Sequence, residues 1–304
     1  MLKRIREIGL QAAWLKLKNL VFPKDSQVIM AASTNGAYEY LKRYRYVIKE
    51  ERENKVDKVD VVDGSPICGS KTIWTCWLQG ETEAPALVKR CLSSLRKWRG
   101  DYEVVLIDET NLHDYVSFPD YIEEKYRKGI ISRTHYSDLL RVELLYRYGG
   151  IWIDSTFLLM GELPVYIEET QFFCYQRRPF GHLRISNPLL KATPLHPLIC
   201  DIRKLLHTYW QQEDRLVSYS IFHLFFTLMY EESARDKQLI DSIPYVPTDL
   251  MDVMLYSLNR PYTQQLWQHI TSLTPLHKLT YRFDRYEIDT EKQGTLYQYI
   301  LNEL

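Results

Sequence analysis

Residues 131–160, ISRTHYSDLLRVELLYRYGGIWIDSTFLLM, decide how this chain is read. At 100° per residue, Leu139, Leu140, Val142, Leu144, Leu145 and Tyr146 spread round most of a helix instead of forming one stripe. A helix apolar nearly all round is a buried one. Glu143 and Arg147, four apart with the acid first, read as its one wet strip. Asp138 and Arg141 point the other way, beside Leu145, and so out of bulk water, where an unpaired charge is costly. Two readings stay open for that pair. They form a mutual i,i+3 salt bridge inside a core, or they face a polar cavity and a ligand, since cores seldom place ions where Leu would serve. Gly149-Gly150 supplies the left-handed residue that ends a helix and turns tightly into a strand. Ile151, Trp152 and Ile153 then read as a short buried strand, with Asp154 where it emerges. In open α/β sheets, ligands collect outside the carboxyl ends of strands.

Working outward, Lys71 to Trp77 reads as a first strand ending at Gln79-Gly80. Pro85 to Trp98 is a helix with Leu87, Val88, Cys91, Leu92 and Leu95 inward and proline in its first turn. Glu103 to Ile107 is a second strand, closing on Asp108. Strand, helix, strand with short connections implies a parallel α/β sheet. Downstream, Phe172 to Tyr175 reads as a strand, and His196–Gln211 and Ser218–Tyr230 as helices. Tyr219 and His223 share a face of the second helix, and His223 reads as a satisfied core residue. Before the body, residues up to Pro23 look helical, with Ile5, Ile8, Ala12 and Leu15 on one stripe. Lys3, Arg4, Arg6, Lys16, Lys18 and Lys24 there outnumber Glu7 and Asp25. That helix fits contact with an anionic leaflet, or packing on the body or a sister subunit. Residues 36–60 read as a charged, solvated face.

The 304 residues carry 39 basic and 39 acidic side chains, a formal net charge of zero. With no sustained basic patch, nucleic-acid binding is excluded. The five cysteines (Cys68, Cys76, Cys91, Cys174, Cys200) are scattered and odd in number. They fit a reducing cytosol better than a zinc site or a disulfide framework. No apolar run is long enough to span a membrane. There is no P-loop, G-x-S-x-G, H-E-x-x-H or dinucleotide fingerprint.

Ser137, Asp138, Arg141, Gly149, Gly150, Trp152 and Asp154 together resemble the signature of the DXD-containing sugar transferases. The resemblance is closest to their bacterial capsular polysaccharide synthesis branch. Thr156 stands where the second Asp is usual, a departure the capsular branch shares. The resemblance implies an α/β fold: a GT-A-like nucleotide-sugar (Rossmann-like) domain over residues 67–304 behind a helical N-terminal extension, 1–66. It implies a glycosyltransferase that moves a hexose from a nucleotide-diphosphate sugar donor to a saccharide or polyprenyl-linked oligosaccharide acceptor. Retention of configuration, assistance by Mn²⁺ or Mg²⁺, and capsule or exopolysaccharide assembly come with it. The implied place is the cytoplasm, with peripheral contact at the inner face of the plasma membrane.

By the same resemblance, Asp154, Asp138 and Arg141 would be catalytic. Trp77, Gln79, Asp138, Arg141, Trp152 and Lys278 would bind the donor. Asp154, Thr156 and His277 would hold the metal, His277 and Lys278 arriving on a C-terminal segment (residues 275–281, PLHKLTY) that closes over the diphosphate. Two other readings remain: a non-catalytic nucleotide-sugar-binding scaffold, favoured by the missing second Asp, and a toxin-like protein glucosyltransferase, which shares Ser-Asp, Arg and Asp-X-Asp.

Overall fold

Thr72–Cys76 (TIWTC) and Glu103–Ile107 (EVVLI), both rich in β-branched and aromatic residues, pair in parallel as the first two strands of a five-stranded sheet. The computed structural model describes residues 26–49, 71–180 and 182–303. The amphipathic helix read before Pro23, and the stretch 50–66, lie outside the described residues. In chain order the elements are α1 (Ser26–Leu41), α2 (Arg45–Lys49), β1 (Thr72–Cys76), α3 (Ala86–Lys97), β2 (Glu103–Ile107) and α4 (Asp120–Arg127). Next come α5 (Arg133–Tyr148), β3 (Gly150–Ile153), β4 (Phe157–Leu159), β5 (Phe172–Phe180) and β6 (Leu183–Ala192). The chain continues through α6 (Pro197–Gln212), α7 (Ile221–Glu232), α8 (Gln264–Leu273), β7 (Leu276–Lys278) and α9 (Leu296–Asn302).

The main sheet runs β2-β1-β3-β6-β5, and a second sheet pairs β4 with β7. The sheet is mixed where the sequence implies a parallel one. β1 is parallel to β2 and β3, whereas β6 runs antiparallel to both β3 and β5. β6 escapes a reading by pattern because it is an inner strand, buried on both faces, and so does not alternate. It also carries Asn187-Pro188, a turn signal; here Pro188 falls inside a register shift against β5, one of the few places a sheet accepts proline.

The helix ahead of β3 is buried on all sides, as its composition requires. Ser132 caps it by accepting from the His135 amide, and Gly149, at φ 65°, ends it. Glu143 departs from expectation. It is not part of a wet strip: its side chain is 1% exposed and meets Arg203 Nε at 2.7 Å, His207 Nε2 at 2.8 Å and Arg147 Nε at 3.4 Å. Burial alone would raise this carboxyl, but His207 and Arg203 hold it below the usual range. The pattern of α5 could not show this, because the partners come from α6.

The solvated face read over residues 36–60 is also half wrong in its described part. Ala37, Tyr38, Leu41, Tyr44 and Ile48 are buried in the main core. Tyr38 Oη donates to Glu231 at 2.6 Å and Tyr44 Oη to Glu213 at 3.0 Å, tying α1 and the turn that follows it to the body. A second apolar cluster, including Leu158, Trp267, Leu296 and Ile300, seats β4, α8 and α9 against Leu87 and Cys91 of α3.

Candidate active site

The carboxyl ends of β1 and β3, the first two turns of α5 and the β4–β7 ladder converge on one cleft of about 290 Å³. α5 contributes Arg133, Ser137 and Arg141, spaced four apart and therefore on one face. β1 runs out into Trp77 and Gln79, and β3 into Asp154 and Thr156. The ladder pairs Phe157 with Lys278, and the Leu279 amide donates to the Thr156 carbonyl at 2.8 Å. Residues 122 positions apart thereby become neighbours.

Asp154 sits at the centre of a fixed donor set. Trp152 Nε1 donates to its Oδ1 at 2.8 Å, Arg141 Nη2 lies 3.5 Å from the same oxygen, and Lys278 Nζ lies 3.9 Å from Oδ2. Arg141 is itself over-determined. It donates to the Asn187 carbonyl at 2.5 Å and to Ser137 Oγ at 3.2 Å, pairs with Asp138 at 3.2 Å and lies 4.9 Å from the centre of the Trp152 ring. Asp138 also accepts from Asn187 Nδ2 at 2.9 Å. Burial pushes its carboxyl above the usual range, against the pull of Arg141. Of the two readings of this pair, each holds in part. The i,i+3 bridge forms, but Arg141 reaches the cleft and Asp138 stands behind it.

Of the site residues named from the sequence, the structure brings Trp77, Gln79, Arg141, Trp152, Asp154, Thr156 and Lys278 to the cleft. It does not bring His277. Alternation along β7 aims Lys278 at the cleft and turns His277 into the core, with no exposed surface. Among the described residues neither ring nitrogen has a hydrogen-bond partner of good geometry, and the Thr274 backbone only weakly favours the protonated ring. Burial lowers His277 to about 4. Burial likewise lowers His196 to about 4 and His223 to about 3; among the described residues His223 Nδ1 has no hydrogen-bond partner, so the ring is not the satisfied core histidine expected.

These three rings set an acid limit. Their folded values lie below the ordinary 6.5, so the native state keeps them neutral. As pH falls below 6.5 the unfolded chain binds protons that the native state does not. Stability then drops toward pH 4, by about 1.4 kcal/mol per unit per ring. His277→Met should flatten this loss in melting curves at pH 7 and 4.5 and leave ligand binding in the cleft intact. A variant as acid-labile as the parent would remove His277 from the account.

Sequence reading missed Arg133, Tyr219, Tyr281, Arg282, Arg285 and Tyr286, all of which line the cleft. Arg133 was open to detection, one turn ahead of Ser137 on the same face. The others sit on loops or on the short turn Asp284–Tyr286, whose placement no periodicity shows. Tyr281 meets the Trp77 ring edge-to-face at 5.1 Å, making an aromatic wall. Burial pushes the Cys76 thiol, also at the cleft, up to about 12, so it is no thiolate.

The ligand set expected for a divalent ion is not assembled. Asp154 is the sole carboxylate among the described residues lining the cleft, and Thr156 Oγ1 is engaged by Lys278 Nζ at 2.6 Å. No group of three or more His, Cys, Asp or Glu side chains among the described residues is arranged to hold a metal.

The chain is 34% identical over 99 residues to the O-glycosyltransferase braB of Annulohypoxylon truncatum, covering 30% of this chain and 24% of that protein. It is 26% identical over 129 residues to the glycosyltransferase afumC of Aspergillus fumigatus, covering 38% of this chain and 33% of that one. The chain thus matches only a quarter to a third of these curated relatives' lengths. The solved PaToxG glycosyltransferase overlaps 88% of this chain and 92% of its own, at a TM-score of 0.39 and 14% identity. The match that spans nearly everything described, residues 27–300, is to a single family, and the chain belongs to it: the capsular polysaccharide synthesis proteins.

Proposed function

We propose that this chain is a glycosyltransferase that moves a hexose from a nucleotide-diphosphate sugar to a hydroxyl of a saccharide acceptor. One observation carries the reading. In a chain of zero net charge, Arg133, Arg141, Lys278, Arg282 and Arg285 all line one cleft, with a single carboxylate among its described lining residues. Such a site is built for a polyanion, and it lies at the strand ends where α/β folds place nucleotides.

The chemistry follows from that charge. The bond from the sugar C1 to the diphosphate oxygen breaks, and its electron pair leaves with the diphosphate. Fixed cations stabilise that growing negative charge more than they stabilise the bound donor, which is what lowers the barrier. The acceptor hydroxyl oxygen bonds to C1, and its proton passes to the departing phosphate oxygen. Asp154 is engaged by Trp152 and Arg141, and among the described residues no second carboxylate lines the cleft to serve as a nucleophile. We therefore favour attack from the leaving-group face, with retention of configuration. The Trp77–Tyr281 wall offers a face for the base, and Gln79 lines the same cleft. Asp138 positions Arg141 from behind.

Membership of the capsular polysaccharide synthesis proteins favours capsule or exopolysaccharide assembly as the setting; the acceptor proposed with it is a polyprenyl-linked saccharide at the inner face of a bacterial membrane. No helix among the described residues is long and apolar enough to cross a membrane. Contact with a leaflet would fall to the basic residues before Pro23.

A panel of nucleotide sugars, assayed for nucleoside diphosphate release with and without oligosaccharide acceptors, tests the reading. At least one donor should be hydrolysed slowly alone and faster with acceptor. Turnover of none, by protein that binds nucleoside diphosphates, would favour the scaffold reading.

A further inference from the structure

The resemblance to the Asp-X-Asp sugar transferases implies a cation beside the strand-end acid. Here a protein cation already stands beside Asp154. The Lys278 ammonium lies 2.6 Å from Thr156 Oγ1, 3.2 Å from the Leu279 carbonyl and 3.9 Å from Asp154 Oδ2. It is held in oxygen, like a small ion, beside the residue that replaces the second Asp. We infer that Lys278 takes the place of the divalent ion, so that this site binds the diphosphate and releases it without a metal. The inference deepens the glycosyltransferase reading and rests on it.

Three further features agree. The first is ligand supply. Mg²⁺ and Mn²⁺ are held by carboxylates together with substrate oxygens, and Asp154 offers one carboxylate whose Oδ1 already receives Trp152 Nε1 and faces Arg141. The second is repulsion. A doubly charged ion bound at Asp154 would sit against both the Lys278 ammonium and the Arg141 guanidinium, each within 4 Å of that carboxylate. The third is rigidity. Lys278 is the last residue of β7, locked to β4 on the register Phe157–Lys278, Leu158–His277 and Leu159–Leu276. Its ammonium is therefore preorganised, which is what an electrostatic catalyst requires. One more acid acts on Lys278, Asp252, whose carboxyl burial raises to about 6. It lies outside the lining of the cleft and supplies no second ligand there.

Thr156 and Lys278 thus read as a matched exchange. Where the commoner motif pairs an acid with a metal, this chain pairs a hydroxyl with an ammonium. A lysine binds phosphate as a point charge and needs no coordination shell of carboxylates, so the ammonium held by Thr156 Oγ1 can meet the diphosphate where it stands.

The test is calorimetric titration of the full chain with UDP and with GDP, in excess EDTA and in Mn²⁺, alongside donor turnover in both buffers. The nucleotide that binds should do so with affinities within about threefold in the two buffers, and turnover should persist in EDTA. Lys278→Ala should weaken binding at least tenfold in EDTA, while Lys278→Arg retains most of it. If Lys278→Ala does not fold, the comparison of the parent protein in the two buffers decides alone. Binding that tightens tenfold or more with Mn²⁺, or turnover only with Mn²⁺, overturns the inference and leaves the glycosyltransferase reading standing. Binding of no nucleoside diphosphate in either buffer overturns both.

Discussion

Arg141→Met should abolish donor turnover and lower stability by about 3–5 kcal/mol, the range for breaking one side of a buried ion pair. The guanidinium is 6% exposed and serves Asp138, Asp154, Ser137 and the Asn187 carbonyl together. Removing it strands the Asp138 carboxylate in a place that already disfavours charge. At roughly 2–4 °C per kcal/mol for domains of this size, the melting temperature should fall by about 6–20 °C. Asp138→Asn should be milder. The amide oxygen still accepts from Asn187 and Arg141, and Arg141 keeps Asp154 as counter-ion. Melting within a few degrees of the parent with turnover severely reduced would fit Asp138 as the residue that positions Arg141. A stability loss with turnover intact would make the pair a core bridge and nothing more.

Gly150→Ala should damage the fold without touching any side chain of the cleft. At φ 94° an L side chain is strained, by about 1–3 kcal/mol. The new Cβ would also fall 2.4 Å from the Thr72 carbonyl oxygen of β1 and 3.2 Å from Trp74 Nε1. Overpacking of that kind adds typically 1–3 kcal/mol, and the atom struck is backbone, which cannot swing away. Trp74 Nε1 donates to the Gly149 carbonyl at 2.8 Å, so the β1–β3 seam under Asp154 would be disturbed too. Denaturant titration should show a loss of about 2–6 kcal/mol. An unperturbed midpoint would mean that the close approach of β1 to this turn is not structural.

Both changes fall inside residues 131–160, and there the sequence was most legible. A helix apolar on every side, two glycines and an acid at a strand end are local signals. They placed α5, β3 and Asp154 correctly because propensity, burial and turn chemistry agree within 30 residues. β1, α3 and β2 were equally plain, each carrying its own period. What escaped reading was decided by partners distant in sequence. Glu143 looked wet because Arg203 and His207 lie some 60 residues away. β6 was hidden because an inner strand shows no alternation and this one contains Pro188. His277 and Lys278 were named together as one mobile pair, yet β-strand alternation sends them to opposite sides. Only the pairing of β7 with β4 fixes which side is the cleft. Arg282 and Arg285 belong to a loop and the short turn that follows it, and nothing in their local pattern separates them from an ordinary solvated face.

The central claim is that the cationic cleft at the ends of β1 and β3 holds a nucleotide diphosphate. A structure of the complex with a nucleoside diphosphate tests it most directly. The account predicts phosphate oxygens within hydrogen-bond distance of Lys278 Nζ and of at least one of Arg133, Arg282 and Arg285, with the base against the Trp77–Tyr281 wall. A nucleotide bound elsewhere on the chain, with this cleft holding only water, would contradict it.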